Sequence, residues 1–129
     1  MSDRRYPAVL DAYWGAVTDR QADAIAALVA DDFVEDWPQS GERIRGASAW
    51  AAVVGGHPAY PRVSVRRIVG DGDVWVCQAD FDYGGETGVW RICSVLELSG
   101  GRIARITQYF GAPFPAAAWR HGITEPMPV

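Results

Sequence analysis

Three side chains of this 129-residue chain have the types and positions for acid–base chemistry. Asp36 alternates with the apolar Val34 along Phe33–Trp37, a short run of strand character, and the alternation directs its carboxylate into a pocket. A carboxylate in apolar surroundings has a raised pKa and works as a base or an acid. Tyr13 lies on an apolar helical stripe and could donate its phenol to an oxyanion. Arg91 falls on the inward face of a late strand, where a buried guanidinium needs a substrate carboxylate or Asp36 as partner. Plainer readings stand beside these: Asp36 bound to Arg91 or capping a turn, Tyr13 as core, Arg91 as surface. His57, in Gly55-Gly56-His57-Pro58, is a candidate for the cavity mouth or simply for the surface. No cluster of His, Asp or Glu has metal-ligand spacing, so neither metal nor cofactor is expected.

These groups must be carried by a helical first half and a strand-rich second half. Tyr6, Leu10, Tyr13 and Val17 recur at helical spacing and predict a helix over 5–18, with Trp14 beside the stripe. Ile25, Leu28 and Val29 predict a second over 22–30. Phe33–Trp37 and Glu42–Arg45 form a hairpin turned at Pro38–Gly41. A third helix over 47–54 is ended by two glycines and a proline. From Arg62 the period changes to two. Strands are expected from Arg62 to Gly70, then over 74–83, 87–99 and 102–110, with short glycine turns at 84–86 and 100–101. In the tail Trp119 is expected to pin a turn over 116–119 to the body. The order is ααββα followed by four antiparallel strands. This makes one α+β domain over 1–129, a cone with three helices on a strongly curved sheet.

Turn lengths fix the faces. A three-residue loop at 84–86 sets Phe81 opposite Val89, Ala79 opposite Arg91 and Cys77 opposite Cys93. A two-residue turn at 100–101 sets Cys93 opposite Gln108. The concave face then holds Trp75, Cys77, Ala79, Phe81, Val89, Arg91, Cys93, Val95, Ile106, Gln108 and Phe110. With Trp14, Val34, Trp50 and Val54 these residues supply the pocket wall, although plain core packing explains any single Trp. The opposite face, with Val76, Gln78, Asp80, Trp90, Ile92, Ser94, Leu96, Leu98, Thr107 and Tyr109, is too apolar to see only water. A second copy of the chain is its expected cover.

Composition bounds the partners. The net charge is −4, from 16 acidic and 12 basic residues, and every basic one is arginine. No basic stripe competes for phosphate, which argues against nucleic acid. No run reaches the roughly 18 apolar residues of a membrane helix. Met1–Arg5 has no apolar core behind its charges and does not read as a leader. Cys77 and Cys93 fit no metal spacing, and two reduced thiols in a cytoplasmic protein are expected. Six tryptophans favour an apolar cavity or interface.

In this order the chain resembles the NTF2-like superfamily, and within it the SnoaL-like polyketide-cyclase group, over nearly its whole length. The resemblance rests on Ala30-Asp31-Asp32-Phe33-Val34-Glu35-Asp36, on the turn leading to Gly46, on Gly101-Arg102-Ile103 running into Gln108-Tyr109-Phe110, and on the tail from Pro113-Phe114 to Trp119-Arg120. More distantly it resembles ketosteroid isomerase. That comparison puts Tyr13 at the oxyanion-hole tyrosine and Asp36 at the general base, and Cys93 where the family has a protonated acid. The superfold hosts isomerases, cyclases, dehydratases, hydrolases and non-catalytic binders. The resemblance therefore implies a cofactor-free enzyme acting by acid–base chemistry on an apolar small molecule. The alternative is a non-catalytic ligand-binding or dimerisation module.

Overall fold

A computed structural model of the chain describes residues 5–128. Met1–Arg4, which carry most of the leader reading, and Val129 lie outside the described residues. The elements are α1 (Ala8–Thr18), β1 (Val29–Trp37), β2 (Glu42–Arg45), α2 (Gly46–Gly56), β3 (Arg62–Asp71), β4 (Val74–Asp82), β5 (Val89–Ser99) and β6 (Arg102–Gly111). Short 3₁₀ helices lie at Ala22–Ala27 and Ala118–Arg120.

Helix α1 buries Leu10, Tyr13, Trp14 and Val17, the stripe its sequence predicts. It ends in a Schellman turn: Arg20 N–H donates to the Val17 carbonyl and Gln21 N–H to that of Ala16. Arg20 holds the left-handed position at φ 54°, where glycine is usual. Its side chain explains the choice. The guanidinium donates to the carbonyls of Val54, Gly55 and His57 at 3.0, 3.1 and 2.7 Å and so caps the end of α2. It also lies 4.8 Å over the Tyr60 ring. Arg20→Ala keeps the backbone strain and loses the cap, whereas Arg20→Gly loses only the cap. Thermal melts are expected to rank wild type above Arg20→Gly above Arg20→Ala, with about 1 kcal/mol between the two variants.

The second predicted helix is a 3₁₀ helix cut short at Ala27, because the chain enters the sheet earlier than its hydrophobic spacing implies. Ile103 N–H already donates to the Leu28 carbonyl, and Val29 pairs with Ile103. The six strands run in the order β2-β1-β6-β5-β4-β3. Every pairing is antiparallel except β1 with β6, which is parallel, so the sheet is mixed.

One register correction decides which side chains face inward. The turn between β4 and β5 is longer than three residues: Tyr83 N–H donates to Gly88 O, and Asp82 pairs with Val89. At the other end Ser99 pairs with Arg102 as expected, but a bulge between Glu97 and Leu98 shifts the pairing by one, to Leu96 with Ile106. Both departures move only β5. Trp90, Ile92, Ser94 and Leu96 therefore face inward beside Phe81, Ala79, Cys77 and Trp75. Val89, Arg91, Cys93 and Val95 go to the outer face. That face is less apolar than expected, although Val69, Val74 and Tyr109 remain exposed there. Cys77 and Cys93 lie on opposite faces, and both are free. The tail also departs from expectation: Trp119 is 74% exposed, with the Arg120 guanidinium 5.4 Å from its ring.

Candidate functional site

The concave face, α1, α2 and the loop after α2 enclose a cavity of about 720 Å³. Its walls carry many aromatic rings, and Gln39, Ser40, His57 and Pro58 stand among its lining residues. Gln39 ties the β1–β2 turn to the end of β6. Its amide donates to Phe110 O at 2.6 Å and accepts the Phe110 N–H in return. Phe110 in turn packs edge-on against Trp37, their ring centroids 5.2 Å apart.

The buried carboxyl group in this cavity belongs to Glu35. Trp37 pairs with Glu42 across the hairpin, so Asp36 stands opposite Arg43; across β6, Glu35 stands beside the wholly buried Ile106. Phe33, Glu35 and Trp37 therefore point inward, while Val34 and Asp36 point out. Glu35 is 2% exposed. Trp37 Nε1 donates to its Oε2 at 2.7 Å, and the Tyr13 hydroxyl lies 3.5 Å from its Oε1. Burial pushes the Glu35 carboxyl from 4.5 up to about 7, against the pull of hydrogen bonds from Trp37, Trp50 and Tyr13. The same burial, reinforced by the charge of Glu35, raises the Tyr13 phenol well above its usual range, so it stays a protonated donor. Behind them Ser94 Oγ donates to Gln108 Oε1 at 2.8 Å, leaving the Gln108 amide N–H groups as its remaining donors. An acid poised near neutrality beside a fixed phenol can take a proton from carbon, return it, or activate a water.

Of the expected site residues, Tyr13, Trp50, Val54, Phe81, Gln108, Phe110 and His57 line the cavity. His57 accepts the Ala59 N–H on Nδ1 and stacks on Tyr83, ring centroids 6.0 Å apart. Trp14, Trp75, Cys77 and Ile106 are inward but belong to the solid core. Val34, Asp36, Arg91 and Cys93 are outside. Asp36 is held by Arg43 at 2.6 Å and Arg105 at 3.1 Å. The Arg43 hydrogen bond keeps its carboxyl below the usual aspartate range, the reverse of a base tuned by burial. Arg91 reaches the nearly buried Asp80 at 2.9 Å, with Arg66 on the same oxygen at 2.6 Å. Burial works to raise Asp80, but the hydrogen bonds from Arg91 and Arg66 outweigh it and hold it low. Among the described residues no three His, Cys, Asp or Glu side chains converge as a metal site. Because Asp36 is an outer-face ion pair, Asp36→Asn is expected to cost about 1 kcal/mol or less and to leave turnover within about twofold; denaturant melts and rates check both.

Glu35, missed by the alternation of Val34 with Asp36, had a legible signal. The aromatic pair Phe33 and Trp37 shares its parity, and the turn at Pro38–Gly41 sets Arg43 against Asp36.

Comparison with known proteins agrees with this architecture. The SnoaL-like domain matches residues 10–106. An NTF2-like protein of unknown function from Burkholderia xenovorans superposes with a TM-score of 0.80 at 34% identity, covering 94% of each chain. A proposed ketosteroid isomerase from Kribbella flavida gives 0.83 at 24% identity, over 95% of this chain and 89% of that one. An LEH-like epoxide hydrolase from M. tuberculosis gives 0.64 at 24% identity, over 80% of each. The last two, below 25% identity, speak for the fold alone. No curated protein matches the sequence.

Proposed function

This chain belongs to the SnoaL-like domain family, and from that premise we propose that it is a cofactor-free enzyme of acid–base type acting on an apolar small molecule in the cavity. The observation that carries the reading is one buried carboxyl, Glu35, brought near neutrality at the wall of an open apolar space. Glu35 moves the proton. Trp37 fixes one of its oxygens, Tyr13 donates to negative charge developing on the substrate oxygen, and Gln108 orients the substrate or a water. A near-neutral acid beside a fixed phenol suits two reaction types: proton transfer alongside a carbonyl, and opening of an epoxide by water. A panel of β,γ-unsaturated cyclic ketones and small epoxides tests this. Conversion by wild type and its loss in Glu35→Gln support the reading; equal rates in the two proteins overturn it.

The same proposal covers the setting. The protein works as a cytoplasmic homodimer, its second copy covering Val69, Val74 and Tyr109 on the outer sheet face. Among the described residues no helix is long and apolar enough to cross a membrane.

A further inference from the structure

The cavity is one-sided in charge. Among the described residues two carboxyl groups, Glu35 and Glu42, line it, and no arginine does; the chain contains no lysine. Its wall is rich in aromatic rings, including Trp37, Tyr60, Tyr83, Trp90 and Phe110. Five arginines are engaged away from it. Arg20 is bound to the end of α2, Arg43 and Arg105 to Asp36, and Arg66 and Arg91 to Asp80. Aromatic faces carry partial negative charge, which attracts cations desolvated against them. An organic anion entering here would shed its hydration and meet no countercharge. An organic cation gains from the rings and supplies ionised Glu35 with a countercharge.

We propose that the cavity takes ligands bearing one organic cation, a tertiary amine or quaternary ammonium group on an apolar body, with the charge facing Glu35. The inference rests on the reading of the cavity as a small-molecule site and adds the charge class of its ligand. Glu35 is faced by Tyr13 of α1, Trp37 of β1 and Trp50 of α2, with Asp36 next in the chain and Glu42, His57, Tyr60 and Tyr83 elsewhere around the cavity. Tyr13 stays neutral, so the cation selects the ionised form of Glu35.

Three probes of one shape test it: phenyltrimethylammonium, its neutral isostere tert-butylbenzene, and benzenesulfonate. Quenching of tryptophan fluorescence at pH 8 is expected to give about tenfold tighter binding of the ammonium than of the isostere, and no saturation by the sulfonate. The ammonium affinity falls by up to about tenfold per pH unit once Glu35 is protonated. Its advantage disappears in Glu35→Gln. Trp90→Leu, which leaves Glu35 intact, weakens the ammonium severalfold and keeps the test open if Glu35→Gln fails to fold. The inference is overturned if the isostere binds as tightly as the ammonium, if the sulfonate binds, if no probe binds, or if the ammonium's advantage survives in Glu35→Gln. A neutral ligand preferred while turnover still needs Glu35 sinks only this inference. An ammonium preferred while turnover ignores Glu35 sinks only the catalytic reading.

Discussion

Glu35→Gln is expected to lower turnover of any substrate the wild type converts by about 10²–10⁴-fold, the usual contribution of one positioned acid or base. The substitution keeps the side chain's length and leaves an amide oxygen to accept from Trp37 Nε1, now 2.7 Å from Oε2. What it removes is the ionisable proton. The matched control is Asp36→Asn, one residue along the same strand. Asp36 is already paired with two arginines on the outer face. Large loss at 35 and almost none at 36 is the signature of the strand parity described above. The reverse pattern would return the base to Asp36 and sink the assignment.

The second large effect is on stability against pH. Glu35 rises from 4.5 in the unfolded chain to about 7 in the fold, so the folded state holds the proton more tightly. Its stabilising contribution is full below pH 4.5 and is lost as the pH rises through 7. A shift of this size corresponds to about 3 kcal/mol at 1.36 kcal/mol per unit. Glu35→Gln carries no such term. Comparing the two proteins cancels the acids held low by arginines, Asp36 and Asp80, which titrate in both. Between pH 4.5 and pH 8 the melting temperature of wild type should fall relative to Glu35→Gln by roughly 10 °C, taking ~3–4 °C per kcal/mol for a domain of this length. A constant difference across that range would mean that Glu35 titrates like an exposed acid.

The fold was readable because its signals are local and repeated: the Leu10–Tyr13–Val17 stripe, the glycines that close each hairpin, and the change of period at Arg62. Part of the wall was readable too, since Tyr13, Trp50, Phe81, Gln108 and Phe110 follow from β4, β6 and the helices. What escaped depends on single-residue offsets. A four-residue excursion at 84–87 and a bulge beside Leu98 moved β5 by one position, which carried Arg91 and Cys93 out of the cavity and Trp90 and Ser94 into it. In a strand of period two, such an offset reverses every side chain. The carboxyl pair at 35 and 36 is the same problem at its smallest. Ranking by hydrophobicity put Val34 inside and carried Asp36 with it, yet Val34 is also buried, on the other face. Partner chemistry separates the two better: Asp36 has arginines across both neighbouring strands, and Glu35 is hydrogen-bonded by tryptophans and a tyrosine.

The most direct measurement is the ionisation of Glu35 itself, followed by the ¹³C shift of its side-chain carboxyl in labelled protein and assigned by its absence in Glu35→Gln. A midpoint near pH 7 is the predicted result. A midpoint near 4.3, the value of an unperturbed glutamate, would contradict the claim that this side chain is the protein's acid–base group.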